Sequence, residues 1–188
     1  MVELRKIDSD NYEEVWKLRS LDNQKGYKDT VEEDFATAYL ELLEGDHPPM
    51  FLAIYNGEEI VGYTLILYYE LCEDNAHCEE FEILRKDFGD KAIYEFGSFM
   101  IDAKHQGKGL GRQAMEKILE YIHSSPQGEA DSIFLICKTE NKTAEKLFTS
   151  YGFADVGKQV FGGEKIMRAG LGLAPTQPKD ALTHNCKH

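Results

Sequence analysis

The sequence predicts a single domain of the mixed α/β class, in which helices pack on one central sheet. A chain of 188 residues with 42% hydrophobic side chains is long and apolar enough to bury one sizeable core. Residues 91–138 read as strand, glycine-rich loop, helix and strand in succession, which indicates a βαβ crossover. We therefore assign residues 1–169 to one domain and expect residues 170–188, which contain glycine and proline and little apolar content, to form a loosely ordered tail.

The first part of the chain predicts one strand and two helices. Residues 2–7 alternate like a half-buried strand, and Asp8 and Asp10 can cap the helix that follows. The apolar side chains of this helix recur at helical spacing, at Tyr12, Val15, Trp16 and Leu18. Thr30 and Glu33 form a capping box for the second helix. The side chains expected in the core here are those of Trp16, Phe35, Ala38, Tyr39 and Leu42.

A hairpin and an acidic stretch come next. Residues 50–55 and 59–69 are β-rich and are separated by Asn56-Gly57-Glu58, which is a strong signal for an antiparallel hairpin. Residues 70–91 carry several acidic side chains and show no clear period. We expect an irregular connection there, either a functional loop or a mobile insertion.

The rest of the chain predicts alternating strands and helices, followed by a closing hairpin. Its elements are a strand over 91–102, a glycine loop that enters an amphipathic helix over 106–122, a buried strand over 132–138 and a short helix over 141–151 that ends at Gly152. Residues 153–161 and 164–168 can then pair across Gly162-Gly163. The order predicts a sheet with at least one parallel or crossover connection.

The net charge limits the kinds of partner that the protein is expected to bind. A formal net charge of −13, from 21 basic and 34 acidic side chains, argues against nucleic acid or an anionic membrane surface, because both require a basic face. A small cationic substrate suits this field, although an acidic surface also serves solubility alone. No apolar run approaches the roughly 20 residues that span a bilayer, and the first residues do not resemble a signal peptide. We expect a cytoplasmic protein.

The cysteines indicate neither a disulfide framework nor a metal site. Cys72, Cys78, Cys137 and Cys186 form no Cys-x-x-Cys pair, and no histidine lies at zinc-ligand spacing from them. A reducing compartment fits this pattern.

The sharpest chemical signal is the run from Gln106 to Arg112, QGKGLGR, between a strand and a helix. Its glycines allow the backbone to approach a ligand, and the amides that begin the helix offer unpaired N–H donors to an anion such as a pyrophosphate. Lys104, His105, Lys108 and Arg112 concentrate positive charge there. The spelling excludes a Walker A loop and does not fit a Rossmann dinucleotide fold.

Together with its neighbours, this run resembles the GCN5-related N-acetyltransferases. Their cofactor loop reads Gln/Arg-x-x-Gly-x-Gly/Ala and follows an apolar-apolar-Asp strand end, as in Phe99-Met100-Ile101-Asp102. Later residues that match the family pattern are Asn141, Ala144, Leu147, Phe148, Gly152 and Phe153. The closing segment 161–167 is similar to that of bacterial diamine and spermidine acetyltransferases.

This resemblance implies a fold and a cofactor. The fold is a mixed, mostly antiparallel, twisted sheet of about seven strands with about four helices, whose splayed central strands form an acetyl-CoA cleft. Main-chain groups of Phe99, Met100 and Ile101 would bind the pantetheine, which Asn141 would also contact, and Phe148 would line the site. The pyrophosphate would lie on the loop residues Gln106, Gly107, Lys108, Gly109, Leu110, Gly111 and Arg112. Acetyl-CoA would be the cosubstrate, without a metal, and homodimers occur among such proteins.

The resemblance also implies a reaction, direct attack of a primary amine on acetyl-CoA in a ternary complex. An amide near Met100 would stabilise the oxyanion. Glu95 is the candidate base for the alkylammonium, although a solvated strand residue is the alternative, and strict alternation places it on the face of Gly97. Relatives carry acidic residues where this chain has Gly97 and Ser98.

A second departure concerns the general acid. The family places a tyrosine where this chain has Phe148, so Tyr151, three residues later, is the candidate substitute, and packing is its alternative role. Solvent can also reprotonate the thiolate, since a thiol has a pKa near 8.5. Acetyl transfer through Cys137 is a further alternative, which the direct transfer of the family disfavours.

Two classes of function follow. The favoured one is an N-acetyltransferase acting on a small cationic amine, with polyamines and diamines first and an amino sugar, an amino acid or a peptide N-terminus as alternatives. The other is a non-catalytic acyl-CoA-binding sensor module, which the residues Gly97 and Phe148 would suit. An assay of CoA release over a panel of amines separates them.

Overall fold

The computed structural model describes residues 1–24, 26, 30–72 and 78–172, and its centre is one sheet. The sheet has seven strands in the order β1-β2-β3-β4-β5-β7-β6. These are β1 (Val2–Lys6), β2 (Met50–Asn56), β3 (Glu59–Glu70), β4 (Ala92–Ile101), β5 (Ser132–Cys137), β6 (Ala154–Val160) and β7 (Glu164–Gly170). The helices found among those residues are α1 (Tyr12–Trp16), α2 (Val31–Glu44), α3 (Glu79–Ile83), α4 (Leu110–His123) and α5 (Lys142–Thr149).

The strand pairing confirms the predicted mixed, mostly antiparallel sheet. Neighbouring strands run antiparallel except β4 and β5, which the α4 crossover makes parallel. The hairpin predicted at Asn56-Gly57-Glu58 joins β2 to β3, and Gly57 takes a φ of 66°, which favours glycine. The closing hairpin joins β6 to β7.

Helices cover both faces of the sheet and create separate apolar clusters. On one face, α4 buries Met115, Ile118 and Ile122 against β4 and β5. On the other, α1 and α2 pack on β2 and β3, and α3 packs on Ile93 and Phe134. In the described part of the chain, no helix combines the length and the apolar character that crossing a membrane requires.

Two expectations for the first helices are wrong. The first helix is shorter than its apolar pattern suggests, and it begins after Asn11 rather than at Asp8 or Asp10. Trp16 is 43% exposed and stacks on Phe35 at a centroid distance of 5.4 Å instead of entering the core.

The capping box of α2 is present, but much of its predicted core face is not buried. The side chains of Thr30 and Glu33 both accept backbone hydrogen bonds, as predicted. Tyr39 is 60% exposed and Leu42 is 59% exposed. The reason is that the buried residues of α2 are Val31, Asp34 and Ala38, which all precede Tyr39, so the last turns of the helix gain little cover from the sheet.

The acidic stretch is more regular than predicted. β3 continues to Glu70, and α3 is followed by a wider π-type turn over Leu84–Phe88. This short helical segment has no side-chain cap and is stabilised by burial, because Phe81 and Leu84 pack against the sheet. It adds a fifth helix to the four expected. Residues 73–77 of the stretch lie outside the described residues.

The proposed boundary at residue 169 falls just before the end of the sheet. Gly170 is the last residue of β7, and the amide of Leu171 donates to the carbonyl of Asp131 at 3.0 Å. The remainder of the predicted tail, residues 173–188, and with it Cys186, lies outside the described residues.

A buried ion pair ties three strands together at one end of the sheet. Asp90, 2% exposed, accepts hydrogen bonds from Nε of Arg168 at 2.8 Å and from the hydroxyl of Ser132 at 2.6 Å. The guanidinium of Arg168 also lies 4.8 Å from the ring centre of Phe88. The carboxylate of Asp90, which lies just before β4, therefore links this strand to β5 through Ser132 and to β7 through Arg168.

Removing this carboxylate should destabilise the fold. Asp90→Ala leaves the partly buried Arg168 guanidinium without its counter-ion, so we expect the free energy of unfolding to fall by about 3 kcal/mol. Chemical denaturation measures this change. Asp87→Ala, which removes only the exposed bridge to Lys158, is the control and should cost less than about 1 kcal/mol. Equal losses for the two variants would contradict the assignment.

Candidate functional site

A cleft opens where the two central strands separate. β4 and β5 pair in parallel over three positions, from Ile93 opposite Ser132 to Glu95 opposite Phe134. Beyond them β5 remains paired with β7, and β4 remains paired with β3. The gap between the strands is part of a cleft of about 450 Å³. The divergence leaves main-chain donors and acceptors along the facing edge of β4 available to a ligand.

A bulge in β4 accompanies this divergence. Leu65 lies opposite Ser98, and the next residue of β3, Ile66, lies opposite Phe96, so Gly97 is the extra residue. A side chain at Gly97 would begin beside Leu65 and Leu67, and Leu67 lies opposite Glu95, so the prediction that Glu95 and Gly97 share a face is confirmed. The extra residue shifts the alternation after it, so Ser98 also lies on this α2 side of the sheet.

The glycine loop after β4 has the geometry of an anion site. Gly107 and Gly109 have φ values of 74° and 79°, and a Cβ at either position would meet no atom within 4 Å. Gly109 is the N-cap of α4 and supplies no side-chain cap. The first amides of this 14-residue helix are thus left for an external acceptor. Arg112 lines the cleft and adds positive charge.

Aromatic side chains form the apolar part of the cleft. Phe148 is 7% exposed and packs edge-on against Phe96 and Phe99, at centroid distances of 5.7 Å and 6.5 Å. Asn141 lines the cleft and caps α5, since its side-chain oxygen accepts from the amide of Ala144 at 3.2 Å. The position of the family's tyrosine is therefore part of the cleft wall, but its phenylalanine carries no proton to donate.

The connection after α1 reaches the cleft and is tied to the glycine loop. The side-chain amides of Gln24 and Gln106 exchange two hydrogen bonds, at 3.0 Å and 2.9 Å, and Gln106 also donates to the carbonyl of Ile101. Asp102, 4% exposed, accepts from the amide of Arg19 at 2.9 Å. The strand end that the sequence singled out thus anchors a segment more than 80 residues away in the chain.

Glu95 lies in an acidic, poorly solvated environment. Burial, with the charges of Glu80 and Glu41 next to it, raises its pKa to about 8. Glu80 is itself 9% exposed. Burial and the charges of Glu95 and Glu41 also raise the pKa of Tyr69 well above its usual value. Glu95 is thus half-buried rather than solvated, and these carboxylates meet on the α2 and α3 side of the sheet.

The other predicted catalytic side chains have defined positions. Tyr151 does not line the cleft, and its hydroxyl donates to the carbonyl of Arg112 at 2.9 Å. Cys137 lines the cleft, and burial raises the pKa of its thiol, which disfavours the thiolate needed for covalent catalysis. Within the described residues, no group of three or more His, Cys, Asp or Glu side chains is arranged to hold a metal ion.

The structure brings together most of the predicted cofactor residues. Those that line the cleft are Phe99, Met100, Ile101, Gln106, Gly107, Gly109, Gly111, Arg112, Asn141 and Phe148. Lys108 and Leu110 do not, because Lys108 donates to the carbonyl of Lys104 and Leu110 is 6% exposed in an apolar cluster. Glu95 does not line the cleft either.

Other residues line the cleft that the sequence analysis did not assign to the site. They include Ser20, Gln24, Phe96, Ser98, Leu135, Ile136, Thr143 and Leu147. Ser20 and Gln24 come from a connection that the sequence marks only as polar. Ser98 and Leu135 belong to predicted strands. Their side-chain alternation alone could not assign them to the cleft, because the assignment also depends on the bulge in β4 and on the divergence of β4 from β5.

Comparisons with known proteins agree with this geometry. The family model described as "Acetyltransferase (GNAT) family" matches residues 2–153. The spermine/spermidine N(1)-acetyltransferase of Bacillus subtilis is 24% identical over 167 residues, which are 88% of this chain and 96% of that protein.

Solved structures share the fold at lower identity. The spermidine N-acetyltransferase of Vibrio cholerae, solved with CoA and spermine, has a TM-score of 0.61 at 19% identity and covers 90% of this chain and 95% of that one. The ribosomal-protein-S18-alanine N-acetyltransferase of Escherichia coli also has a TM-score of 0.61, at 12% identity, over 96% and 100% of the two chains. Proteins named for quite different acceptors thus share this architecture.

The glycine loop makes a direct prediction for cofactor binding. Gly109→Ala places a side chain at a left-handed backbone position, a strain of about 1 kcal/mol that the loop can relieve only by moving its amides. We expect the Kd for CoA, measured by calorimetry, to rise about tenfold or more, equivalent to about 1.4 kcal/mol.

The matched control is Gly57→Ala, because Gly57 also has a positive φ, at 66°, but lies in the β2–β3 turn and not in the cleft. It should lose similar stability and keep its affinity for CoA. If both variants bound CoA as the unchanged protein does, the loop would not be the anion site.

Proposed function

We propose, from the premise that this chain belongs to the acetyltransferase (GNAT) family and is an N-acetyltransferase, that its acceptor is a primary amine of a small cation. Polyamines and diamines are the first candidates. The donor is acetyl-CoA, whose thioester supplies an activated acetyl group. The observation that supports this function most directly is the cleft between β4 and β5, with the glycine loop at its margin.

The cleft fits coenzyme A by its chemistry. The unpaired first amides of α4 and the guanidinium of Arg112 would hold the pyrophosphate. The edge of β4 over Phe99, Met100 and Ile101 would hydrogen-bond the amide-rich pantetheine arm, and the aromatic wall around Phe148 would exclude water from it. An amide near Met100 would stabilise the developing oxyanion, an interaction worth about 3 to 4 kcal/mol in comparable acyl transfers.

The acidic cluster supports a cationic acceptor. The carboxylates of Glu41, Glu80 and Glu95 come from three different elements, and burial together with repulsion from Glu80 and Glu41 raises the pKa of Glu95. A bound ammonium group would relieve this repulsion and lower that pKa again. A linear polyamine can place further ammonium groups beside the remaining carboxylates, which a neutral acceptor cannot do. The curated spermine/spermidine acetyltransferase relative is consistent with this choice.

Glu95 is the proposed base for the incoming ammonium. An alkylammonium has a pKa of about 10.4, so it must lose a proton before it can attack, and a carboxyl with a pKa of about 8 is well matched to this task. Since Glu95 does not line the cleft, it would act through a water molecule.

Departure of the thiolate needs no dedicated side chain. Phe148 cannot protonate it, and the hydroxyl of Tyr151 is engaged by the carbonyl of Arg112. Tyr151 as the general acid stays a prediction, and its alternative is a solvent proton, which suffices for a leaving thiol with a pKa of about 8.5. The raised pKa of Cys137 favours direct transfer over an acetyl-cysteine route.

An amine panel tests the substrate class. With acetyl-CoA, we expect CoA release with spermidine, spermine and a diamine to be at least about tenfold faster, by kcat/KM, than with glucosamine, a free amino acid or a peptide N-terminus, because only the former place several cations beside the acidic cluster. Mass spectrometry of the product is the check. Cofactor binding without turnover of any amine would instead support the non-catalytic sensor module.

The pH profile tests Glu95. The carboxylate is the active form, so the kcat/KM of the unchanged enzyme should rise with pH and level off near 8. Glu95→Gln should lower kcat/KM by about 100-fold near pH 8 and by much less near pH 10, where roughly 30% of an amine with a pKa of about 10.4 is already neutral. Glu120→Gln, an exposed change on α4, is the control and should leave the profile unchanged. If kcat/KM of Glu95→Gln rose with pH to the same plateau as that of the unchanged enzyme, Glu95 would not be the base.

The same substitution should stabilise the fold. A carboxyl whose pKa is raised from 4.5 to about 8 in the folded state binds an extra proton between these values, so stability falls as pH rises through this window. Glu95→Gln removes that loss, and its advantage in unfolding free energy should grow by up to about 1.4 kcal/mol for each pH unit in the window. Chemical denaturation of both proteins at pH 5 and pH 8 measures this advantage. An equal difference in unfolding free energy at the two pH values would contradict the prediction.

A further inference from the structure

A buried hydroxyl–carboxylate pair lies at the wall of the cleft and has no role in the mechanism so far. The hydroxyl of Ser98 donates to Oδ2 of Asp34 at 2.8 Å. Ser98 is 4% exposed and is one of the residues that line the cleft. Asp34, on α2, is 3% exposed, and the same oxygen accepts from the hydroxyl of Tyr63 at 2.5 Å.

Burial of the Asp34 carboxylate between α2 and the sheet costs free energy that burial of an apolar side chain would not. Transfer of a carboxylate from water to a protein interior costs several kcal/mol before its hydrogen bonds repay part of it, and apolar side chains of similar volume often do better. The surrounding residues of α2, Val31 and Ala38, are apolar and pack well. A packing role alone does not explain why Asp34 lies directly behind Ser98, a residue that lines the cleft.

The neighbouring contacts keep the pair in one arrangement. Burial and the charge of Asp34 raise the pKa of Tyr63 well above its usual value, so Tyr63 stays a hydrogen-bond donor to the carboxylate. The hydroxyl of Thr64 donates to the carbonyl of Ser98 at 2.9 Å, which fixes the main chain next to the bulge. With its proton directed at Asp34, the oxygen of Ser98 presents lone pairs to a donor.

Acetylation of an alkylammonium requires two proton removals from the same nitrogen. The first converts the ammonium to the nucleophilic amine. The second is needed because the nitrogen becomes positive again as it bonds to the carbonyl carbon. A base that has accepted the first proton cannot accept the second until it has released it. A site with two separated acceptors therefore avoids a delay within each turnover.

We propose that Ser98 is a catalytic residue that takes the second proton and passes its own to Asp34, a positioning residue that serves as the final acceptor. This inference rests on the proposed function. The N–C bond forms and the C–S bond breaks. The proton on nitrogen moves to Oγ of Ser98, and the hydroxyl proton of Ser98 moves to Oδ2 of Asp34. Asp34 then returns the proton to solvent or to the CoA thiolate, so the products are the amide and CoA.

Ser98→Ala is the decisive variant, and Asp34→Asn supports it. Each should lower kcat about 100-fold, the usual effect of a lost proton acceptor, while the KM for acetyl-CoA and the affinity for CoA stay within about threefold. Ser132→Ala is the matched control, because it also removes a buried serine hydroxyl from a buried carboxylate, that of Asp90, and Ser132 does not line the cleft. It should lose comparable stability and change kcat by less than about threefold.

The pH dependence separates this relay from both a structural role and the role of Glu95. Near pH 10 roughly 30% of the amine is already neutral and needs no first deprotonation, so the defect of Glu95→Gln should fade, whereas the defect of Ser98→Ala should persist at full size. Ser98→Ala with kcat equal to that of Ser132→Ala, or with a defect that fades at high pH, would overturn the relay. An unchanged protein that acetylates no amine would instead overturn the proposed function, so the two failures are distinguishable.

Discussion

The separation of β4 from β5 is the constraint on which the rest of this structure depends. Two parallel strands that paired along their whole length would leave no room and no free main-chain groups for a ligand. Here they pair from Ile93 to Glu95, and then β4 carries a bulge at Gly97 while β5 stays with β7. The result is a cleft within a sheet that is otherwise continuous, and it places the glycine loop and α5 on either side of the same opening.

The charge distribution complements this geometry. The chain carries a formal net charge of −13, yet the cleft presents the amide end of α4 and the guanidinium of Arg112 to an anionic cofactor. On the α2 and α3 side of the sheet the sign reverses, with Glu41, Glu80 and Glu95 close enough to disturb one another. Fields of opposite sign on the two sides of one strand suit the proposed reaction, which brings a polyanionic donor and a polycationic acceptor to the same strand.

The bulge has a further effect on chemistry, because it decides which side chains of β4 share a face. Glu95 and Ser98, three residues apart, both lie on the α2 side, where regular alternation would have separated them. In the proposed mechanism, that arrangement places both proton acceptors on one side of the strand, Glu95 in the acidic cluster and Ser98 backed by Asp34. The half-buried and buried carboxylates are costly to the fold, as is common where a protein arranges groups for function rather than for stability.

The sequence by itself determined most of the elements and the conformation of the glycine loop. Local patterns specify them, since Asn56-Gly57-Glu58 fits one hairpin turn, Thr30 with Glu33 caps one helix, and the glycines at 107 and 109 permit the positive φ values that the loop adopts. Tertiary structure alone decided which side chains face each other. The exposure of Trp16 and Tyr39, the helix at Glu79–Ile83, the bulge and the contact of Asp34 with Ser98 over 64 positions depend on burial and on strand register, which are set by distant parts of the chain. Periodicity within one segment carries no information about such partners.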